Sequence, residues 1–190
     1  MLFDRDAQPG KNRPLMAFLI IALLVGAAGS LFSEPNIETW YAGLVKPVFN
    51  PPNWVFAPVW TALYILMAVA AWRVFRVTGF WAASPFARSA EKGEVAEAGP
   101  WASEGRRGIA PEMWAWMIQL TLNFFWSAIF FGTHQLLLAL LELAALWLAV
   151  AVTLVMFFRK DRIAGLLLLP YLAWVSFAFS LNWALWRLNG

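Results

Sequence analysis

From Leu15 to Phe32 eighteen consecutive residues carry no charged side chain, a run that spans about 27 Å as a helix, close to the thickness of a bilayer core. Four more predominantly apolar runs follow, Trp54 to Trp72, Trp114 to Phe131, Leu136 to Phe158 with one acid, Glu142, and Ile163 to Leu188 with Arg187 near its end. With 62% of the residues hydrophobic and 13% charged, the chain is far more apolar than the core of a water-soluble domain requires. The expected fold is therefore all-α, a polytopic membrane protein built as a bundle of five transmembrane helices. Residues 1–14 form a polar segment of mixed sign ahead of the membrane domain 15–190. A cleaved signal peptide is the alternative for the first run, with Ala27, Ala28 and Gly29 as cleavage candidates, but the spans that follow weigh against it.

Between the first two runs, residues 33–53 read as a rigid lid. Pro47, Pro51 and Pro52 deny the backbone helical hydrogen bonds and bias Lys46 and Asn50 toward extended conformations. Trp40 and Tyr41 load this connection with aromatic surface that a plain linker has no use for. Residues 79–111 differ in kind, with scattered Gly and Pro and charges of both signs, and read as a flexible inserted loop outside the membrane.

Polar residues inside the spans are few enough to discuss singly. Gln119, Asn123 and Ser127 follow at i, i+4 steps on one face beside Trp126, a stripe that belongs toward the bundle interior, either for interhelical hydrogen bonds or for ligand contact. Glu142 is an acid within a span, costly enough to raise a functional question, although its place near the helix start lets it reach the interface. Ala22, Gly26 and Ser30 have the small-xxx-small spacing that allows close helix approach.

Twelve of the fourteen Lys and Arg residues fall on the side shared by the amino terminus, the second loop and the fourth loop, leaving Lys46 and Arg187 opposite. The positive-inside rule then places the amino terminus in the cytoplasm and the lid outside, if the membrane is a bacterial inner membrane. The absence of cysteine and a single histidine remove thiol chemistry, Cys-based metal sites and any His cluster, so no metal site is expected. No basic stripe exists apart from the span flanks, so no nucleic-acid partner is expected.

Thirteen tryptophans exceed what an interfacial belt explains. Trp60 and Trp174 lie mid-span on helices that also carry Tyr64 and Tyr171, and the lid adds Trp40 and Tyr41. A pocket walled by aromatic faces, suited to a flat aromatic guest, accounts for them; the alternative is that the rings fill the core with their N–H groups bonded to the Asn and Gln stripe.

Four motifs carry a family resemblance: W-Y-x-x-L-x-K-P-x-x-N-P-P from Trp40 to Pro52, W-T-x-L-Y from Trp60 to Tyr64, L-N-x-x-W-S from Leu122 to Ser127, and L-P-Y-L-A-W-x-x-F-A-x-x-L-N from Leu169 to Asn182. In this order they resemble the TspO/MBR family, which comprises the tryptophan-rich sensory proteins of bacteria and the mitochondrial translocator protein or peripheral benzodiazepine receptor. The resemblance implies a five-helix bundle, commonly a homodimer, that binds porphyrins, sterols and drug-like aromatic molecules in a pocket under the first loop. It implies ligand contact at Trp40, Tyr41, Trp60, Asn123, Trp174 and Ala178. Loop 79–111 is longer than the family's usual connection, and Trp183 stands before Arg187 where the family's sterol-recognition pattern has Tyr.

The function expected is a receptor or transport-type protein in which Trp and Tyr faces hold a tetrapyrrole as ligand rather than cofactor, with Lys46 placed to pair with a propionate. A light-dependent porphyrin-degrading enzyme is the alternative, with Trp60 and Trp174 as redox-active rings and the guest supplying the photochemistry. Membrane lipid and sterol are the other expected partners. His134 is read as an interfacial residue rather than a haem ligand.

Overall fold

The computed structural model describes residues 13–79, 81–83 and 107–190. Five helical stretches in it are long and apolar enough to cross a membrane. They are α1 (Arg13–Ile37), α3 (Phe56–Thr78, entered through a 3-10 turn at Asn53–Val55), α4 (Pro111–Ser127), α5 (Leu136–Lys160), and a broken fifth made of α6 (Arg162–Leu167) and α7 (Leu169–Asn189). A four-residue helix, α2 (Trp40–Gly43), lies in the lid.

The expected spans stop short at several ends, each for a local reason. The first helix runs on through Pro35 to Ile37, because a proline near a helix end forfeits few hydrogen bonds and neighbouring side chains take up loose carbonyls. Asn36 Nδ2 donates to the Phe32 carbonyl at 2.9 Å and Thr39 Oγ1 to that of Pro35 at 2.8 Å. The lid proper is correspondingly shorter than 33–53. Likewise α3 does not end at Trp72: Arg73 and Arg76 remain helical, and the stop is Gly79, whose φ of 73° suits a residue without a Cβ. Asn53 opens the 3-10 turn without capping it through its side chain.

Segment 79–111 is ordered at both ends rather than loose throughout. Strands β1 (Trp81–Ala83) and β2 (Arg107–Ile109) pair antiparallel, Trp81 opposite Ile109, and Pro111 starts α4. Residues 80 and 84–106, on which the rest of the flexible-loop expectation falls, lie outside the described residues. After Ser127 the helix widens into a π turn, Ala128–Gly132, before the short connection to α5. The fifth span breaks at Leu168, since Pro170 has no N–H to continue the ladder and sits in the first turn of α7.

The core has two parts. On the Arg13 side, Phe18 and Ala22 of α1 pack against Met67, Ala71 and Val74 of α3, with Trp116 of α4 and Phe157 of α5. Alanines at 68, 70 and 71, all fully buried, let α3 pass through the middle of the bundle. On the lid side, Tyr41, Phe130, Leu136, Ala139, Leu181 and Leu185 form a second cluster. The cavity lies between them.

Two ion pairs tie the helices at the Arg13 end. Arg73 meets Asp161 at 2.8 Å and Lys160 meets Glu112 at 3.3 Å, so α3, α4 and α5 are joined around the turn into α6. Asp161 also caps α6 by accepting the Ala164 N–H at 3.1 Å. Burial alone would raise its carboxyl pKa, but the Ala164 bond and the Arg73 guanidinium outweigh it and hold the group below the usual carboxylate range.

Candidate ligand pocket

A cavity of about 460 Å³ opens under the lid between α1, α3, α4 and α7, within the size range of small-molecule sites. Its wall on α3 is Phe56, Trp60 and Tyr64, one side chain per turn, and its wall on α7 is Trp174, Ala178 and Leu181. The rings of Trp60 and Trp174 stand 6.5 Å apart at 87°, forming an aromatic corner. Trp126 stacks on Phe130 at 5.1 Å across from them.

Glycine makes room on the remaining side. A Cβ on Gly26 of α1 would lie 2.5 Å from the Tyr64 ring, and one on Gly29 would lie 3.2 Å from Ser127 Oγ. Only the missing side chains let α1 approach α3 and α4 so closely. Of the expected small-residue triplet, Gly26 is thus a contact and Ala22 is fully buried.

The floor is a hydrogen-bonded chain. Tyr64 donates its hydroxyl to Asn123 Oδ1, and Asn123 Nδ2 donates to the Tyr171 hydroxyl at 3.0 Å. This satisfies most of the polar capacity of three buried side chains on three helices, which an apolar interior demands. Asn182, oriented with its amide nitrogen toward the Leu136 carbonyl and its oxygen toward the Leu140 N–H, each at 3.2 Å, is likewise occupied. The pocket therefore meets a guest mainly with ring faces and C–H surface.

Of the sequence-derived ligand residues, Tyr41, Trp60, Tyr64, Asn123, Trp126, Trp174 and Ala178 come together on this lining. Three do not. Tyr171 is fully buried behind the wall, edge-on to Trp60 at 6.2 Å, and supports the floor. Trp40 turns aside to stack on His134 at 4.2 Å and 15°, while His134 Nε2 lies 3.1 Å from Asn36 Oδ1; the histidine is a brace for the lid. Lys46 lies over the outer face of the Tyr41 ring, 4.8 Å from its centroid, and is tethered to the Ala42 carbonyl at 3.1 Å. Among the described residues, the only charged side chain on the lining is that of Glu34.

Other readings are also corrected. An aromatic-walled pocket does not account for every mid-span tryptophan: Trp147 is exposed on the membrane side and donates to Ser176 Oγ at 2.8 Å. The Trp N–H groups are not bonded to the amide stripe, since Trp116 and Trp126 Nε1 and the Gln119 amide have no hydrogen-bond partner among the described residues. Glu142 stands apart from the lining, its two oxygens shielded and without such a partner.

The lid is tied in three places, the first within the lid itself. Tyr41 donates its hydroxyl to Asn50 Oδ1 at 2.6 Å, and burial of the ring pushes the phenol pKa up to about 12 against the lowering effect of that bond. Asn189, at the end of α7, grips the Val45 backbone from both sides, accepting its N–H at 2.8 Å and donating to its carbonyl at 2.9 Å. His134 and Trp40 supply the third fastening. Phe56, Phe130, Phe131 and Glu34 also line the site; each stands four residues from a position read in the sequence, Phe56 before Trp60, Phe130 after Trp126, Phe131 after Ser127 and Glu34 after Ser30.

The profile of the TspO/MBR family matches residues 17–187. The chain belongs to the TspO/MBR family. It is 37% identical over 175 residues to the tryptophan-rich protein TspO of Archaeoglobus fulgidus, covering 92% of this chain and 96% of that one. The protein CrtK of Rhodobacter capsulatus is 36% identical, with 90% of each covered, and the human translocator protein 34%, with 93% and 90% covered. The match takes in all five spans and the lid, so this is a multi-pass membrane protein of the TspO/MBR family, and the cavity lies within the matched region.

Proposed function

We propose that the cavity binds porphyrins and related flat hydrophobic aromatic molecules, in a receptor or transport-type role, with the amino terminus on the cytoplasmic side of the membrane. The observation that carries this reading is the corner of Trp60 and Trp174 at 6.5 Å and 87° in a cavity whose polar floor is already hydrogen-bonded within the protein. A site with few unmet polar groups selects for ring area and shape. The name translocator, borne by the human relative, fits movement of a ligand. A carboxylate of a bound porphyrin would pair with Lys46 of the lid, released from its tether to the Ala42 carbonyl.

The adjacency of the two indoles also favours a second reading, light-dependent porphyrin breakdown with these rings as electron donors to the excited guest. Titrating detergent-purified protein with protoporphyrin in the dark and then under illumination separates the two. Saturable tryptophan quenching with unchanged porphyrin absorbance in both conditions supports binding alone. Light-dependent loss of absorbance that Trp60→Phe abolishes without loss of affinity supports breakdown. Absence of saturable quenching overturns both. Sterol affinity is expected to be the weaker, because Trp183 stands in place of the pattern's Tyr and is 53% exposed on the membrane side.

A further inference from the structure

The cavity does not end at the inward faces of the helices. On α3 its lining includes the inward row Phe56, Trp60 and Tyr64 and also the next row outward, Ala57 and Thr61, both exposed. On α1 it includes Gly26, Gly29 and Ser33 and, beside them, Leu23, Ala27 and Ser30. Ala27 is exposed, and Leu23 is 40% exposed. A cavity reaches a second row on both helices only where their side chains do not meet across the seam. This second row lies within membrane-spanning segments and continues into the lipid-facing Leu24 and Leu31 of α1. We propose that the seam between α1 and α3 is a lateral portal by which a flat hydrophobic ligand dissolved in the bilayer reaches the pocket.

The chemistry of the seam fits passage from lipid. Apart from Leu23, the side chains at its edge are small, namely Ala27, Ser30, Ala57 and Thr61. The two hydroxyls there are consumed within their own helices, Ser30 Oγ on the Ala27 carbonyl and Thr61 Oγ1 on the Ala57 carbonyl, both at 2.8 Å, so the edge offers lipid no unmet donor. Nearer Arg13 the same seam is shut by Phe18 and Ala22, buried at 6% and 0% exposure, which confines the opening to the level of the aromatic corner. The aqueous route, by contrast, is covered by a lid held to the bundle at Asn189 and His134. A solute that partitions into the bilayer is concentrated on the side where the wall is open.

The proposal rests on the reading of this cavity as a ligand site, and its test has an arm that does not depend on porphyrin. The chain has no cysteine, so Ala27→Cys and Thr61→Cys each introduce one thiol, and Leu148→Cys places a control on exposed α5 surface. Each protein is folded in phosphatidylcholine vesicles and compared before and after reaction with a bulky lipid-soluble maleimide, which separates blockage from misfolding. Association of protoporphyrin dimethyl ester, followed by stopped-flow tryptophan quenching, is expected to slow about tenfold or more on blocking position 27 or 61 and to stay unchanged at 148. In parallel, a lipid-soluble arylcarbene precursor is photolysed in the vesicles and adducts are mapped by mass spectrometry. Adducts on Trp60 and Tyr64 are expected to disappear on blocking 27 or 61 and to persist on blocking 148. Undiminished Trp60 and Tyr64 adducts after both blocks overturn the portal, as does an unchanged association rate in protein that binds the ester. Failure of the ester to quench any of the proteins counts against the porphyrin reading, and the carbene adducts then decide the portal alone.

Discussion

At the scale of single residues, the pocket depends on two large side chains and one missing one. Ring stacking contributes roughly 0.5–1.5 kcal/mol beyond area burial, so Trp60→Leu or Trp174→Leu should weaken porphyrin binding by about two- to tenfold in a quenching titration, with Phe less harmful. If both Leu variants melt earlier yet bind with wild-type affinity, the rings serve packing alone. Gly26→Ala tests the opposite side of the same contact. Its Cβ would lie 2.5 Å from Cε2 and 2.8 Å from Cδ2 of Tyr64, and a ring pushed aside gives up its hydrogen bond to Asn123. Overpacking of this kind costs about 1–3 kcal/mol, so thermal unfolding in detergent should move down and porphyrin affinity should fall with it. Gly43→Ala, with nothing within 4 Å of the new Cβ, is the matched control and should change neither.

At the scale of elements, the turn between the fourth and fifth spans is held by charge as well as by packing. Asp161 does two things, capping α6 through the Ala164 N–H and pairing with Arg73 of α3. Asn caps about as well as Asp, whereas Ala costs about 0.5–2 kcal/mol at such a position. Asp161→Asn should therefore report the loss of the ion pair and Asp161→Ala the loss of both. The pH dependence has a definite sign. A carboxyl whose folded pKa is depressed contributes stability that is present above its ordinary unfolded value and is lost as pH falls through the folded one. The gap in melting temperature between wild type and Asp161→Asn should thus be full at neutral pH and close in acid; a gap that is constant with pH would remove the ion pair from the account.

At the scale of the whole molecule, the five spans bring Arg73, Arg76, Arg107, Arg159, Lys160 and Arg162 to the Arg13 end, and leave Lys46 and Arg187 at the lid end. That asymmetry predicts a cytoplasmic amino terminus and an external carboxyl terminus in a bacterial inner membrane. Reporter fusions at Gly190 decide it, since a reporter that is active only in the cytoplasm reverses the orientation. In that orientation the lid would face outward and the proposed opening between α1 and α3 would face the leaflet beneath it.

Length and hydropathy by themselves determined the five spans, because a bilayer admits only segments of about the right length with their backbone bonds closed internally. The i, i+4 spacing on α3 was enough to place Trp60 and Tyr64 on one face, and the four motifs carried the family. Span ends were less legible: α3 continues past Trp72 to Thr78, and Arg73 there pairs with Asp161 at the turn between α5 and α6. The tertiary structure alone decided which aromatics share a wall. Trp60, Trp174 and Trp126 meet through helix packing that no periodicity along one helix encodes, while Trp147, equally mid-span, faces lipid. Lys46 was assigned by charge and lid position, yet the Ala42 carbonyl and the Tyr41 ring hold it outside the lining. The opening between α1 and α3 left no mark in the sequence, because a gap is a property of two surfaces that fail to meet and belongs to neither helix alone.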